Sequence, residues 1–131
     1  MNPASKDIVE ILEDESSLGL VFGTNLFVGL EPDQPSDCVT IFDTPGAPPQ
    51  LTLTQGENYF HPSIQIRVRH TSYVSCWGLI NDIKNLLHGM GQETIGDTLY
   101  TMIRCSIEPF MLDWDAHGCA RFVTTFDIHR R

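Results

Sequence analysis

Phe60-His-Pro-Ser-Ile-Gln-Ile-Arg-Val-Arg-His70 decides the fold class, because its side chains alternate and a helix signal follows at once. Successive residues of an extended strand point to opposite faces. Ile64, Ile66 and Val68 therefore share one face, and Gln65, Arg67 and Arg69 the other. This predicts a strand with one buried face and one polar, positively charged face. Thr71-Ser72 then supplies a cap for a helix of about 72–89. Tyr73, Trp77, Ile80, Ile83, Lys84 and Leu87 follow its expected buried stripe, widened by Leu79, Leu86 and Met90. Gly89 or Gly91 closes it.

Upstream, Asn2-Pro3 reads as an N-cap followed by proline at the first helical position. Ile8, Ile11 and Leu12 then fall on one face, which predicts a short amphipathic helix over 3–17. Asn25 to Leu30 suits a strand, Glu31 to Asp37 a turn-rich connector, and Cys38 to Phe42 a second strand. Asp43-Thr-Pro-Gly46 reads as a break. Pro45 to Gly56 carries three prolines and two glycines and is expected as a long loop. Downstream, Thr98 to Ile107 alternates, Glu108-Pro109 breaks, and Phe110–Trp114 and Ala120–Ile128 flank a hairpin turn at Asp115-Ala-His-Gly118. In the last strand Phe122, Thr124, Phe126 and Ile128 share a face. Few helices and runs of strands predict an α+β fold: a single, mostly antiparallel sheet with two helices packed on one face. The 131 residues have room for a single domain, 1–131.

Composition narrows the function classes. Hydrophobic residues make up 41% and charged residues 19%, which is globular rather than disordered. No apolar run approaches the ~20 residues of a membrane-spanning helix, and the acidic start lacks a signal-peptide layout, so no membrane partner is expected. Eight basic against seventeen acidic residues give a net charge of −9. Ten acidic residues lie between Lys6 and the next base, Arg67. Such a chain is not built to grip a phosphate backbone, though a nucleic acid could slide past it. Cys38, Cys76, Cys105 and Cys119 form no C-x-x-C pair and read as reduced, mostly buried thiols.

Candidate chemistry is sparse. Asp113, Asp115, His117 and Cys119 are types that ligate zinc, at alternating positions of an extended segment. Gly118 breaks that geometry midway, and a solvated turn is the expected reading. No P-loop, G-x-G-x-x-G or H-E-x-x-H motif occurs. Asp43-Thr-Pro-Gly46 is no aspartic-protease tripeptide, because Pro45 intervenes. No catalytic residue, cofactor or metal is expected. Arg67 and Arg69 need carboxylate company: within the fold, for example Asp127, or on an acidic surface of a second copy.

The layout resembles the tail terminator, or minor capsid, proteins of long-tailed bacteriophages. Four features carry the resemblance: the acidic first helix leading to a strand; Pro35-Ser-Asp-Cys-Val-Thr-Ile-Phe-Asp-Thr-Pro-Gly-Ala-Pro-Pro49; Ile64-Gln-Ile-Arg-Val-Arg69 leading into a helix with Leu86-Leu87-His-Gly89; and an ending in which Pro109 and a hairpin precede Arg121-Phe-Val-Thr-Thr-Phe126. The resemblance implies a non-enzymatic virion protein, assembled in the host cytoplasm. It implies a homo-oligomeric ring, usually a hexamer, that caps the tail tube, contacts the major tail tube protein and meets the head-tail connector or stopper. DNA would pass through its lumen without specific binding. Charge and exposure put the interface expectation on Arg67, Arg69, Asp43, Pro48, Gln55, Glu57 and Asp127. The alternatives are a head-completion or stopper neck protein and, from other classes, a small acidic inhibitor or a metal-dependent enzyme.

Overall fold

The computed structural model describes residues 1–51 and 58–131, with the side chains of 50, 51 and 58 left aside. Gln55 and Glu57, two of the expected interface residues, lie outside the described residues. Helix α1 (Ala4–Asp14) and a short 3-10 turn lead to strand β1 (Leu26–Val28). Strands β2 (Cys38–Leu51) and β3 (Asn58–His70) precede helix α2 (Tyr73–Leu87). Strands β4 (Glu93–Ile95), β5 (Thr98–Trp114) and β6 (Ala120–Arg130) complete the chain. The six strands of the described residues form one sheet in the order β1-β2-β3-β6-β5-β4. The fold is broadly α+β, as the patterning predicts, but the sheet is mixed: β1 lies parallel to β2, and every other pairing is antiparallel.

The core sits on one face. Ile64, Ile66 and Val68 of β3 and Phe122, Phe126 and Ile128 of β6 pack with Ile8 and Leu12 of α1 and with Cys76, Ile80, Ile83 and Leu87 of α2. The alternation read in β3 and β6 thus gives the correct inward faces. Burial pushes the Cys76 thiol up to about 11, as expected of an inert core cysteine.

Three expectations need correction. First, the segment from Asp43 onward is strand, not break and loop: β2 runs to Leu51. Its partner β3 pairs with it through two register shifts, between Thr44 and Ala47 and between Ala47 and Gln50. Strand β1 pairs only with 39–41, so the prolines at 45, 48 and 49 lie on an outer edge where no amide donor is required. Gly46 is required there, because a Cβ would fall 2.1 Å from the carbonyl oxygen of His61. Second, Glu108-Pro109 does not interrupt β5. Bulges between Cys105 and Ile107 and between Ile107 and Phe110 absorb it, again on a strand with a free outer edge. Another shift, between Tyr100 and Met102, turns Tyr100 into the core, where alternation alone places it opposite Ile103. Third, Cys76 occupies the buried stripe of α2, while Tyr73 and Trp77 are half exposed.

Candidate functional site: a charged sheet face between two apolar edges

On the sheet face away from the helices, Arg67, Arg69 and Arg121 come together. Arg69 pairs with Arg121 across β3 and β6, and Arg67 lies one pleat away on the same face. The connector after β1 folds back over them and brings Glu31 to their centre. Glu31 lies 3.8 Å from Arg67, 3.4 Å from Arg69 and 3.1 Å from Arg121. Arg69 also donates to the carbonyls of Ser36, at 3.1 Å, and Pro35, at 2.7 Å, and sits 3.8 Å from Asp115. Arg121 holds Asp113 through two charge-assisted hydrogen bonds of 2.6 and 2.5 Å. That fork holds the Asp113 carboxyl below the usual range and pushes the Arg121 guanidinium up. The arginines find their carboxylates within the fold, but these are Glu31, Asp113 and Asp115 rather than Asp127. Arg67 is the most open of the three and also lies over the Phe42 ring, 4.9 Å from its centroid.

The remaining expected residues have partners of their own. Asp127 pairs with Arg104 at 3.3 Å. Asp43 caps α1 from β2: its carboxylate accepts from the Ser5 amide at 3.1 Å and from the Ser5 hydroxyl at 2.6 Å. This replaces the expected Asn2 cap, since Pro3 stands at the cap position and makes no side-chain cap. Pro48 is exposed on the edge of β2.

The Asp113/Asp115/His117/Cys119 group is a turn. One Asp115 oxygen accepts from the amides of His117, at 2.9 Å, and Cys119, at 2.7 Å, and Gly118 takes a positive φ of 79°. Those amides, that of Cys119 foremost, hold the Asp115 carboxyl low. Among the described residues no group of three His, Cys, Asp or Glu side chains could hold a metal ion.

Two features have no sequence signature. Asp7 of α1 is buried and accepts from the Tyr100 hydroxyl. Arg130 donates to that hydroxyl at 3.1 Å and to the Asn2 carbonyl at 2.8 Å. Burial, then the neighbouring Asp7, pushes the Tyr100 hydroxyl up, so it stays a donor that ties α1 to the sheet. The second feature is apolar exposure at both ends of the sheet. At the β5 end Tyr73, Val74, Trp77, Ile107, Phe110 and Trp114 are exposed. At the β1 end Val21, Phe22 and Leu30 are exposed beside a groove under α1.

The geometry is that of a structural protein rather than a pocketed one: the sheet-face arginines are paired within the chain and apolar edges are left open. One solved structure shares the fold. A chain of the virion of a native gene transfer agent (GTA) particle superposes with TM-score 0.68 at 9% identity, covering 98% of this chain and 94% of that one. A second solved chain aligns at TM-score 0.49 and 11% identity, over 95% of this chain and 96% of that one. A sequence comparison with curated proteins returns no match. The model of the bacteriophage tail terminator protein family matches residues 9–130, and the chain belongs to that family. It is a virion structural protein of the tail. No described helix is long and apolar enough to cross a membrane.

Proposed function

We propose that this chain forms a homo-oligomeric ring, a hexamer, on the last ring of the tail tube, stops tube growth there and gives the head connector a surface to bind. Family membership over residues 9–130 carries the reading. The action is geometric and non-enzymatic. One ring face matches what the tube presents to its next ring, and the opposite face lacks the surface that propagates the tube. A ring needs two different patches per subunit, one complementary to the other. The net charge of −9 suits a lumen through which DNA slides without adsorbing, because affinity for DNA requires cations at the phosphates.

Arg69, Asp43 and Asp127 are committed to partners within the chain, so their part in a ring is to shape the subunit. Arg67 and Pro48 face outward and are proposed to meet a neighbour or the tube, with Gln55 and Glu57. The test is removal of the gene from the parent phage, with tail lengths measured by electron microscopy. Overlong tubes without heads are the expected result. Tails of normal length beside unattached heads would move the protein to the connector side as a stopper, and normal infectious particles would overturn both readings.

A further inference from the structure

We propose that the two apolar ends of the sheet are the two halves of one head-to-tail contact between copies of this chain, the β5 end of one copy seating in the groove between α1 and β1 of the next. The proposal rests on the ring reading above and names the surfaces that build it.

The β5 end is an open edge. Strand β4 covers only Thr98 to Tyr100, and from Ser106 to Trp114 no described strand pairs with the outer side of β5. Trp114, opposite Ala120, is exposed on the helix side of this edge, and Tyr73, Val74 and Trp77 continue that patch at the start of α2; Ile107 and Phe110, opposite Thr125 and Val123, are exposed on its other side. The Tyr73 and Trp114 rings lie 6.0 Å apart, so strand and helix form one surface. Counted over both sides of the edge, these side chains expose on the order of 700 Å², against the ~800 Å² per partner of a standard protein interface. A soluble monomer rarely leaves so large an apolar area uncovered.

The opposite end is concave. A groove of about 410 Å³ is lined by Val9, Phe22 and Val28, with Glu10 and Glu13 among its polar residues. A Glu13 oxygen accepts from the Phe22 amide at 2.7 Å, which fixes that wall against α1. The strand order places the groove and the β5 edge at opposite ends of one sheet, one hollow and one projecting. Two unlike, complementary patches at opposite ends are what a heterologous contact requires, and repetition of such a contact gives a ring when the rotation closes.

Charge selects a second copy as the occupant. Around the β5 edge Lys84 is matched by Glu108, Arg104 by Asp127 and Arg121 by Asp113. The edge is therefore close to neutral and approaches another −9 chain without the repulsion that two acidic surfaces meet.

The test places the photo-crosslinker benzoylphenylalanine at Phe22, in tails purified from host cells where that variant replaces the chain. The expected product is a dimer of this chain joined from position 22 to residues 73–77 or 107–114 of the second copy. Crosslinks to the tail tube protein, or to another part of this chain in tails that still carry a ring, overturn the pairing and leave the ring reading standing. Tails with no crosslink between copies and no ring overturn both. A second measurement uses Phe22→Glu and Trp114→Glu, both at exposed sites, with folding checked by circular dichroism. Each alone is expected to lower the fraction of ring-capped tails about tenfold or more. Mixed together they form one-to-one dimers that stop, because each keeps one intact half. An unchanged fraction of ring-capped tails from either variant alone would overturn the proposal.

Discussion

The Glu31 cluster and the β5 edge are opposite answers to the same question of what covers a sheet. In the cluster, three arginines that stand out in an acidic sequence are covered by the chain's own connector and paired to its own carboxylates. At the edge, aromatic side chains that periodicity assigns to the core remain half exposed. Alternation fixes the face a side chain points to, but whether a distant segment folds back over that face depends on the whole topology. The connector holding Glu31 does so; nothing in the described chain does so for Trp77 and Trp114.

The comparison breaks most severely at Arg69, whose side chain is 7% exposed. Arg69→Ala removes the donor to two carbonyls and leaves Glu31 and Asp115 with fewer counter-charges. Removing one partner of a buried charged network typically costs about 3–5 kcal/mol, and the lower end is expected here because Arg67 and Arg121 still face Glu31. Urea unfolding measures this. A loss under ~1 kcal/mol would mean that the cluster does not hold the connector, and that Arg69 is free to act outside the fold after all. Gly46→Ala comes next. The added methyl would meet the His61 carbonyl at 2.1 Å and the Pro62 Cα at 2.9 Å, both backbone atoms that cannot swing aside. A cost of about 1–3 kcal/mol is expected, with faster amide exchange along 44–51 than in the parent. Unchanged exchange would contradict the register observed between β2 and β3.

Much of the fold is legible in the sequence where each segment obeys one period. Strand β3 alternates without interruption over Ile64–Val68, and β6 does so over Phe122–Ile128 except at the buried Val123, so both inward faces follow directly. The misread segments are those where tertiary position overrides a local rule. Proline breaks a strand only if its missing amide is needed, and β2 past Ile41 is an outer edge. Bulges let β5 carry Glu108-Pro109. In α2, Trp77 and Cys76 sit 100° apart on the helix, and size favours Trp77 while the stripe through Ile80, Ile83 and Leu87 favours Cys76. The site is less legible than the fold. Asp7, Tyr100 and Arg130 meet from three distant points in the chain, and Glu31 reaches Arg121 across 90 positions. No spacing rule connects such residues.

Acid sharpens the comparison more gently, because it acts on the cluster and spares the edge. Arg121 holds Asp113 low, and the amides of Cys119 and His117 hold Asp115 low. Their unfolded values lie near 3.9. A carboxyl lowered on folding contributes stability that is complete above its unfolded value and is lost as pH falls through its folded value. Below about pH 4 the urea midpoint should therefore fall, and Arg121→Ala should flatten that acid limb. An identical limb in the variant would remove Asp113 from the account. Asp113 is exposed and screened by solvent, so the effect is expected to be smaller than that of losing Arg69.

The smallest expected effect separates the two regions most cleanly. If Trp77 belonged to the core stripe, Trp77→Ala would cost about 3–5 kcal/mol. It is instead half exposed, with Cys76, Ile80 and Ile83 beneath the helix. Exposed substitutions usually fall within about ±0.5 kcal/mol, and loss of a partly packed ring puts Trp77→Ala near the upper end of that range. Cys76→Ser is the internal control. It places a hydroxyl among core side chains, although the present thiol already lies 3.2 Å from the Val68 carbonyl and 3.5 Å from that of Ala120, which would accept from the serine. The urea midpoint of the serine variant should then fall more than that of Trp77→Ala, although the residue replaced is far smaller. The reverse order would put Trp77 in the core and dissolve the distinction between a self-satisfied charged face and an open aromatic edge. The expected order keeps that ring available for a contact outside the subunit, where its removal is read in assembly rather than in folding.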